Sequence, residues 1–578
     1  MATNLVNQHG GAMFERKARV SFRVAEGLRG RGVSVVFGVV GHANYRLVTD
    51  FVQLGGRYIA MRHETGAVAA ADSYARLTGT VGVATVTQGP GLTNAATSLV
   101  EARKSRTPIL LIAGDTIDGS EDNQDLDQDA FAESLGVVPI WPTSAETAAS
   151  ETIAGFDLAL ETCQAVLVSL PQDVQSTTVD ASRISPLTTV APLQPEQIQI
   201  DAAVQQLIHA RRPIVLAGRG SLISGAGPAL AKLAECLGAP LTTTAQAHGL
   251  FSGNPSSLGI CGGYAKAGAW ETLRQADLII AVGASLSKWT TRSGELLADA
   301  DIVHVDVEPR GDHIVCGDAR LAAEGMLDAL RQCKHQAAPW AHTVRELDPL
   351  NAGDEAGMDP ATATITLNNV LPRDRIIVLD SGHHIGWPVR YLEVPNERSW
   401  VFAQGFQSVG LGLAGAIGAG QAFPERLVVA PIGDGGLAMT LGELDSAVRS
   451  RSHILVVVYD DRAYGAELHR FEAANVPVEL SLFDRIDFAA IAQAVGAQAA
   501  TVERSEEIPR ALKDWLLNPT GVFLLHMLVS PNLPGPWAKK STKYHKLQEA
   551  WRATSSADRS VKQQRLRVTL SELGSPSS

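Results

Sequence analysis

Two acidic motifs in the last third of this 578-residue chain have the residue types and spacing of a divalent-cation site. Asp434 follows the apolar run 426–432 within a Gly-Asp-Gly motif, and Asp461 ends an Asp-Asp pair after a second apolar run, 453–459. Two carboxylates that face each other beside glycine backbone amides suit a divalent cation that carries a diphosphate. The alternative is that both aspartates only cap a helix or a turn.

A strand, a helix and a parallel strand would bring these aspartates together. Between the two runs, Leu441, Leu444 and Ala447 recur at helical spacing. Such a unit winds right-handed, and parallel sheets bind ligands at the carboxyl ends of their strands. The spacing therefore predicts that Asp434 and Asp461 converge on one crevice.

The first third of the chain carries two further segments that could take part in chemistry. Glu64 begins a small-residue helix, and the segment 87–94 (Thr-Gln-Gly-Pro-Gly-Leu-Thr-Asn) ends a strand and opens a helix. Glycines in such a turn permit a close approach of the backbone to a ligand, although tight turns need them as well. A glutamate at a helix N-terminus is also explained by the helix dipole alone.

Composition restricts the class of protein. Hydrophobic residues make up 45% of the chain and it holds 53 glycines, which is typical of an α/β enzyme rather than a fibrous or disordered protein. A net charge of -12 argues against general nucleic-acid affinity. The five cysteines lack metal-ligand spacing, which favours a reduced, cytoplasmic setting. No apolar segment reaches the ~18 residues of a membrane span, so we expect no membrane partner.

Alternating apolar strands and amphipathic helices divide the chain into three α/β blocks. Strand candidates in the first block are 33–37, 81–87, 109–113 and 165–169. Polar, proline-containing stretches at 183–199 and 334–363 are interpreted as linkers. We predict the fold class α/β, with three doubly wound parallel-sheet domains at 14–182, 200–333 and 364–530.

A basic tail follows at 537–578. Its nine basic residues stand against three acidic ones. Such a tail could dock on the acidic surface of its own subunit or close over an anionic substrate, or it could be a solvated end.

In combination, these segments resemble one family. An Arg-His-Glu helix start, a Gly-Pro-Gly-x-Thr-Asn turn, a spacer block, and a Gly-Asp-Gly motif separated by 24 residues from Asp-Asp occur in this order. The order resembles that of the thiamine-diphosphate-dependent decarboxylases and carboligases, which include acetohydroxyacid synthase, benzoylformate decarboxylase, pyruvate decarboxylase and carboxyethylarginine synthase. The resemblance covers about residues 14–530. It implies that the blocks are a pyrimidine-binding, a central Rossmann-like and a diphosphate-binding domain.

The resemblance implies roles for residues of the third block. Asp434, Asp461 and the carbonyl of Ala463 would bind Mg²⁺, although this chain has Asp-Asp where the family usually has Asn-Asn. The other residues expected to contact the coenzyme are Gly382, His383, His384, Gln407, Val409, Gly433, Gly435, Gly436, Tyr464 and Gly465. Val409 would support the bend of the coenzyme, unless it is only a core valine. The two histidines could instead be a surface pair.

Glu64 corresponds to the activating acid of the family. A carboxyl group that bonds the pyrimidine ring of the coenzyme favours its imino tautomer, whose nitrogen takes the C2 proton of the thiazolium. In the family this acid and the metal ligands belong to different subunits. The resemblance therefore implies a homodimer or a homotetramer.

Three residues are expected to face the reacting carbon. His42 lies in a Gly-Val-Val-Gly-His-Ala-Asn loop that resembles one of carboxyethylarginine synthase, Gln88 could offer its amide, and Glu467 matches an active-site glutamate of pyruvate decarboxylase. His42 could equally be a solvated loop residue. Acetohydroxyacid synthases tend to have tryptophan where this chain has Arg470.

The central block resembles a nucleotide-binding fold only in part. Leu-Ala-Gly-Arg-Gly at 216–220 and the strand-terminal Asp306 fit such a fold, but the phosphate fingerprint is incomplete. The segment 283–289 replaces the flavin-holding segment of acetohydroxyacid synthase. We therefore expect no FAD or ADP in the central domain.

The function implied is decarboxylation of a 2-oxo acid, followed by transfer of the resulting enamine to an aldehyde or keto acceptor, as in an acetolactate synthase-like carboligase. Thiamine diphosphate and Mg²⁺ would be the cofactors. Simple decarboxylation, as in benzoylformate or pyruvate decarboxylase, is the alternative, and a flavin oxidase is a weaker one. A degenerate homologue that binds without turnover is a further alternative, against which the presence of Glu64, Asp434 and Asp461 argues.

Overall fold

The computed structural model describes residues 17–116, 123–180, 186, 191–335, 340 and 353–535. Three parallel six-stranded sheets, each with its own helices, follow one another along this part of the chain. The basic tail, 537–578, lies outside the described residues. Within them, no helix combines the length and the apolar character that crossing a membrane requires.

The first sheet and its helices come from the first third of the chain. The strands are β1 (Lys17–Arg19), β2 (Val35–Gly38), β3 (Arg57–Ala60), β4 (Gly82–Val86), β5 (Ile109–Asp115), β6 (Val138–Ile140), β7 (Ala165–Pro171) and β8 (Thr178–Asp180). The helices are α1 (Val20–Gly30), α2 (Tyr45–Gln53), α3 (Glu64–Thr78), α4 (Pro90–Asn94), α5 (Ala96–Lys104), α6 (Gln128–Leu135), α7 (Ala145–Thr162) and α8 (Gln172–Ser176). The sheet order is β3-β2-β4-β5-β7-β6, and β1 pairs with β8 in a separate antiparallel ribbon.

The second sheet is formed by the middle of the chain. Its strands are β9 (Pro213–Ala217), β10 (Leu241–Thr243), β11 (Ser257–Ile260), β12 (Leu278–Val282), β13 (Asp301–Asp306) and β14 (Ile314–Cys316). Its helices are α9 (Gln197–His209), α10 (Arg219–Ile223), α11 (Gly227–Leu237), α12 (Ala267–Leu273), α13 (Lys288–Thr291) and α14 (Ala319–Gln332). The order β11-β10-β9-β12-β13-β14 is that of a Rossmann fold.

The third sheet follows. The strands of this part are β15 (Gly353–Asp354), β16 (Gly357–Met358), β17 (Arg375–Leu379), β18 (Trp400–Phe402), β19 (Leu427–Gly433), β20 (Ile454–Asp460), β21 (Gln498–Val502) and β22 (Val522–Leu528). The helices are α15 (Pro360–Val370), α16 (Gly386–Tyr391), α17 (Gly412–Ala422), α18 (Asp434–Met439), α19 (Glu443–Ser450), α20 (Gly465–Ala474), α21 (Phe488–Ala494) and α22 (Ile508–Leu517). The order is β18-β17-β19-β20-β22-β21, with β15 and β16 in a separate hairpin.

The first and third sheets have the same topology. When the six strands of each are numbered along the chain, both sheets run in the order 2-1-3-4-6-5. Every strand pair within the three six-stranded sheets is parallel. The predicted fold class, α/β with three doubly wound parallel sheets, is confirmed.

The positions of the strands were predicted accurately from apolar runs, and those of the helices less accurately. The runs 426–432 and 453–459 correspond to β19 (Leu427–Gly433) and β20 (Ile454–Asp460), because strands buried on both faces are apolar throughout. The stretch between them is two helices rather than one, since Leu441 lies in the turn between α18 and α19. Both interpreted linkers extend into a helix. The linker 183–199 overlaps α9, which begins at Gln197, and the linker 334–363 overlaps α15, which begins at Pro360.

The first and third sheets are joined through α3 and α17, which occupy equivalent places in the two topologies. Small residues let these helices approach closely: a Cβ atom on Gly418 would collide with the carbonyl of Ala70. Their side chains belong to one hydrophobic core that spans both sheets, with Ala67 and Ile417 fully buried in it. The two sheets therefore form one rigid unit within a single chain.

Candidate functional site

The loops that follow β17 and β19 meet at a break in the order of the third sheet. β17 pairs with β18 on one side and with β19 on the other, so the connections leave in opposite directions. A Cβ atom on Gly433, at the end of β19, would lie 3.0 Å from Nδ1 of His384, in the loop after β17. Such a break is where open parallel sheets bind ligands.

Asp434 and Asp461 come together in this crevice. Asp434 is the first residue of α18 and only 9% exposed, and Asp461 follows β20 directly. Burial raises the pKa of both carboxyls, and the charge of Asp461 raises that of Asp434 further. The strongest charges acting on Asp434 are the acids Asp461 and Asp460. A cation between the two carboxylates would therefore stabilise them.

Asp460, the neighbour of this pair, accepts hydrogen bonds from residues outside it. It is buried, and Nε2 of His526 donates to its Oδ2 at 2.8 Å. The amide of Arg462 donates to Oδ1 at 3.0 Å, and Nε of Arg485 lies 3.7 Å from Oδ2. Burial alone would raise the pKa of Asp460, but the bond from His526 and the neighbouring positive charges lower it. Asp460 nevertheless lies beside Asp434, on which it acts by charge and by a side-chain hydrogen bond, so both acids of the Asp-Asp motif border the crevice.

Glycines leave room around the carboxylate pair. A Cβ atom on Gly436 would lie 2.5 Å from Oδ2 of Asp380 and 3.1 Å from Cγ1 of Val409. A Cβ atom on Gly465 would collide with Oδ2 of Asp461. The backbone can therefore approach a ligand at both positions, and a larger residue would displace the side chains that line the crevice.

Gly435 and the chain at Ala463 and Tyr464 form a further wall. A Cβ atom on Gly435 would lie 2.8 Å from Cε1 of Tyr464. The amide of Tyr464 donates to the carbonyl of Ser481 at 2.9 Å, and its ring packs against Phe483 with centroids 4.6 Å apart. Ala463 is buried.

His383 and His384 are buried, at 6% and 4% exposure, so the interpretation of a surface pair is wrong. Burial lowers their pKa values to about 3 and about 4, so both rings are neutral at neutral pH. Nε2 of His384 donates to the carbonyl of Pro431 at 3.2 Å. The amide of Gly535 donates to Nε2 of His383 at 3.0 Å, which brings the last described residues over this loop.

Asp380, at the end of β17, is a site residue that the sequence reasoning missed. Its Oδ1 accepts from the amides of Gly410 at 2.8 Å and Leu411 at 3.1 Å, at the start of α17. Burial raises its pKa to about 6, although the amide bonds oppose this. In the sequence, only its position at the end of an apolar run indicated that Asp380 belongs to the site.

The loop before α17 carries Gln407 and Val409. Gln407 is exposed and has a left-handed backbone, with φ of 62°. Val409 is half-buried and directs Cγ1 towards Gly436, so it lines the crevice rather than the interior of the core.

Glu64 is the first residue of α3 and is half-buried. Its Oε2 accepts a hydrogen bond from Nδ2 of Asn94 at 3.0 Å, and the hydroxyl of Thr65 donates to the carbonyl of Asn94. The Arg-His-Glu and Gly-Pro-Gly-x-Thr-Asn motifs are therefore neighbours at the carboxyl ends of the first sheet.

Glu443, in the third part of the chain, holds the start of α3. The amides of His63 and Arg62 donate to its two oxygens at 3.0 Å and 3.4 Å. Glu443 is 2% exposed, and burial raises its pKa. No spacing in the sequence predicts this contact, because Glu443 lies hundreds of residues from Arg62 and His63 in the chain.

Gln88 and His42 both make internal hydrogen bonds. Gln88 is 4% exposed; it accepts from the hydroxyl of Thr87 at 2.6 Å and donates to Oε1 of Gln124 at 2.9 Å. His42 is exposed, and Nε2 of Gln172 donates to its Nε2 at 2.8 Å. That bond requires the tautomer in which Nδ1 of His42 carries the proton.

Glu467 lies in the first turn of α20, close in sequence to Asp461. It is half-buried, and Nη1 of Arg470 lies 3.6 Å from its Oε1. The carboxylate is thus on the same side of the third sheet as the crevice and remains open to solvent.

The predicted site residues of one chain form two groups, which we call half-sites. The predicted residues of the third sheet gather around Asp434 and Asp461, whereas Glu64 and Gln88 gather at the carboxyl ends of the first sheet. In the described part of a single chain, no hydrogen bond or ion pair joins Glu64 to either aspartate.

A separate cavity of about 570 Å³ lies at the carboxyl ends of the second sheet. Arg219 and Asp306, from the two segments that fit a nucleotide-binding fold, line it, as do Gly405 and Gln407 from the third part of the chain. The expectation that the central domain holds no FAD or ADP stays a prediction.

The donor set of the crevice fits a divalent cation with a diphosphate. Within the described residues, no group of three or more His, Cys, Asp or Glu side chains forms a metal cluster, so two carboxylates need further oxygen ligands. Mg²⁺ is commonly held by one or two carboxylates and completed by phosphate oxygens and water. The glycines around Asp434 and Asp461 leave space for those phosphates.

Comparisons with known proteins agree along the chain. Three family models match: the N-terminal TPP binding domain of thiamine pyrophosphate enzymes at 18–135, their central domain at 200–326, and their C-terminal TPP binding domain at 380–527. The acetolactate synthase isozyme 2 large subunit of Escherichia coli (strain K12) is 28% identical over 547 residues, 91% of this chain and 99% of that protein.

Two further relatives differ in the names they carry. A probable acetolactate synthase large subunit of Methanocaldococcus jannaschii is 28% identical over 88% of this chain and 91% of its own length. A probable 2-ketoarginine decarboxylase of Pseudomonas aeruginosa is 29% identical over 83% of this chain and 89% of its own length. With all three domain models matched in order, the chain belongs to the family of thiamine diphosphate-dependent enzymes.

Proposed function

We propose that this enzyme requires Mg²⁺, decarboxylates a 2-oxo acid and transfers the remaining acyl unit to a carbonyl acceptor, as an acetolactate synthase-like carboligase. The observation that carries the proposal is the convergence of buried Asp434 and half-buried Asp461, two carboxylates without a neighbouring positive side chain among their strongest partners. A protein that did not bind a cation there would be more stable with neutral residues at both positions.

The residues of the third sheet would hold the metal and the diphosphate. Asp434, Asp461 and the carbonyl of Ala463 would bind Mg²⁺, and the amides of Gly435 and Gly436 would donate to phosphate oxygens. The neutral imidazole of His383 can donate a hydrogen bond there without adding charge, whereas the N–H of neutral His384 is donated to the carbonyl of Pro431. When bound, thiamine diphosphate supplies the electron sink that lets a 2-oxo acid lose CO₂.

Glu64 would hold a proton beside the pyrimidine ring, and Asn94 would orient its carboxyl group through the 3.0 Å hydrogen bond. Since the activating acid and the metal ligands belong to different subunits in the resembling family, we expect a complete site to need a second copy. Exposed apolar side chains near the crevice support a homodimer or a homotetramer, because such patches mark interfaces; Phe406, Met439 and Phe483 are 44%, 56% and 46% exposed.

Simple decarboxylation is the second candidate. Glu467 and His42 are both open to solvent and can deliver a proton, which would release an aldehyde instead of a condensation product. The relative named as a 2-ketoarginine decarboxylase favours the same outcome. By contrast, the internal hydrogen bonds of Gln88 point to an orienting role in either reaction.

The test is CO₂ release from a panel of 2-oxo acids, with and without thiamine diphosphate and Mg²⁺. We expect release from at least one substrate, dependent on both additions and absent in D434N. No release from any 2-oxo acid by protein that binds the coenzyme would contradict the proposal. Adding aldehyde and 2-oxo acid acceptors then separates the two candidates: a condensation product indicates a carboligase, and free aldehyde alone indicates a decarboxylase.

A further inference from the structure

A buried ionic cluster lies between α3 and α5 of the first sheet. Nη2 of Arg76 is 2.7 Å from Oδ2 of Asp72 and 2.9 Å from Oε1 of Glu101, and all three side chains are 3% exposed or less. Arg219, from the start of α10, is half-buried, and its charge interacts with those of Arg76, Asp72 and Glu101. Two acids thus balance two arginines where three parts of the chain meet.

Glu101 makes a second set of contacts that the cluster does not require. The amide of Gly405 donates to its Oε1 at 2.9 Å, and the amide of Phe406 donates to its Oε2 at 2.6 Å. Burial opposes ionisation of Glu101, but Arg76 and these two amides lower its pKa. The Glu101 carboxylate, in the first part of the chain, therefore holds the backbone of the loop that leads to Val409 through two hydrogen bonds.

The other end of this loop is held by Asp380, which accepts from the amides of Gly410 at 2.8 Å and Leu411 at 3.1 Å. Between the two anchors, Gln407 is left-handed and exposed, and the Phe406 side chain is 44% exposed. Burial of side chains therefore contributes little to fixing the loop. Two carboxylates, one on each side, hold its backbone, and between them the hydroxyl of Ser381 donates to the carbonyl of Gln407 at 3.4 Å.

We propose that Glu101 is a positioning residue for coenzyme activation: it clamps the Gly405–Phe406 backbone against Asp380 at the other end, so that Val409 keeps its place against Gly436. The last step of this proposal rests on the proposed function, because Val409 matters only if the coenzyme is bent across it. The clamp itself is independent of that step and exists in the free protein.

The experiment compares two double variants with equal changes in buried charge. R76M/E101Q removes the arginine and one of the two acceptor oxygens of the clamp, whereas D72N/R76M removes the same arginine and the other acid but leaves both Glu101 contacts to the loop. Both lose the bond from Arg76 to the carbonyl of Phe402. The difference between them therefore reports on the clamp rather than on the loss of an ion pair.

The first readout is amide hydrogen exchange of residues 403–411 in the coenzyme-free, full-length protein. In R76M/E101Q we expect exchange at Gly405 and Phe406 at least about tenfold faster than in D72N/R76M, since local opening controls exchange. Equal exchange in the two variants would overturn the proposal. If neither variant folds, the wild type decides: the amides of 405, 406, 410 and 411 must exchange more slowly than those of 407 and 408, and uniform exchange would overturn it.

The second readout is made with thiamine diphosphate and Mg²⁺ added. We expect R76M/E101Q to slow deuterium exchange at C2 of the coenzyme by about tenfold or more, with a much smaller change in Kd, because a misplaced support costs reactivity rather than binding. Equal C2 exchange in the two variants would overturn the positioning role. If the wild type itself binds no coenzyme, the proposed function fails, while the amide exchange still tests the clamp.

Discussion

Nε2 of His526 donates to Oδ2 of Asp460 at 2.8 Å, and this buried bond separates the roles of two neighbouring acids. Asp460 bonds His526 and the amide of Arg462 besides lying near Asp434, whereas the strongest charge acting on Asp434 is that of Asp461. The family usually has Asn-Asn at these positions, so the extra charge of Asp460 needs an explanation, and its pairing with His526 provides one.

The first prediction separates these acids by substitution. D461A should weaken Mg²⁺ binding, measured calorimetrically with thiamine diphosphate present, by about tenfold or more, because it removes an oxygen ligand. D460N should leave that affinity nearly unchanged and lower the free energy of unfolding by about 1–3 kcal/mol, because it weakens a buried charge-assisted hydrogen bond. The reverse pattern would assign the metal to Asp460.

The second prediction concerns pH in the coenzyme-free protein. Burial and mutual repulsion raise the pKa values of Asp434 and Asp461, so the folded state binds their protons more tightly than the unfolded state. Their protonation therefore stabilises the fold at low pH, and this contribution is lost as pH rises above the ordinary carboxyl pKa of about 4. D434N removes the titrating group, so its stability relative to wild type should increase with pH.

Urea denaturation at fixed protein concentration, from about pH 5 to about pH 9, measures this difference. Saturating Mg²⁺ with thiamine diphosphate should remove the advantage of D434N, because the cation then balances the wild-type carboxylates. A D434N advantage that is constant across the pH range would show that Asp434 ionises normally.

The third prediction compares two acids of α19 that contact the same segment. Glu443 is 2% exposed and accepts from the amide of His63 at 3.0 Å, whereas Asp445 makes a solvent-facing ion pair with Arg62 at 2.7 Å. E443A leaves buried amides without acceptors and should lower the free energy of unfolding by about 2 kcal/mol or more. D445N should cost less than about 1 kcal/mol, as exposed ion pairs do.

Thermal and urea denaturation of both variants check this comparison. Equal effects would mean that the Glu443 contact does not persist in solution. Because Glu443 fixes the residue before Glu64, E443A should also lower turnover more than D445N does.

Strand positions could be predicted from the sequence because buried parallel strands are apolar on both faces. The bounds of β19 and β20 differ by one residue at each end from the apolar runs that located them. The convergence of Asp434 and Asp461 followed from the same logic, since a right-handed connection places both at carboxyl ends of adjacent strands.

Contacts between acidic side chains and distant backbone amides could not be predicted in this way. Glu101, Asp380 and Glu443 bond backbone amides, and amides carry no residue-type signal in a sequence. Glu101 and Glu443 act across the junction of α3 with α17, whose approach depends on small side chains such as Gly418. Helical periodicity indicates which face is buried but not which partner covers it.

The fourth prediction concerns the activating acid. E64Q should keep the fold and the coenzyme affinity but lower turnover by about 10²-fold or more, the range for loss of a proton-transferring group. N94A, which removes the 3.0 Å bond that orients Glu64, should have a smaller effect in the same direction. Measurements of turnover, coenzyme Kd and melting temperature together show whether a variant loses catalysis, coenzyme binding or folding. Near wild-type turnover in E64Q would exclude the assigned role.

The fifth prediction tests whether a complete site needs two chains. E64Q and D434N should each be inactive alone, because each lacks one of the two half-sites. After subunit exchange in an equal mixture, half of the dimers combine one chain of each kind, and each such dimer has one intact site and one doubly altered site. About one quarter of the wild-type activity should therefore return.

If Glu64 instead served the aspartates of its own chain, every site in the mixture would keep one substitution and no activity would return. The control is a mixture of E64Q with the E64Q/D434N double variant, in which no arrangement supplies Glu64, so it should stay inactive. Sedimentation of the mixture confirms that exchange has occurred. Recovered activity in the first mixture and none in the second would locate the reaction between subunits.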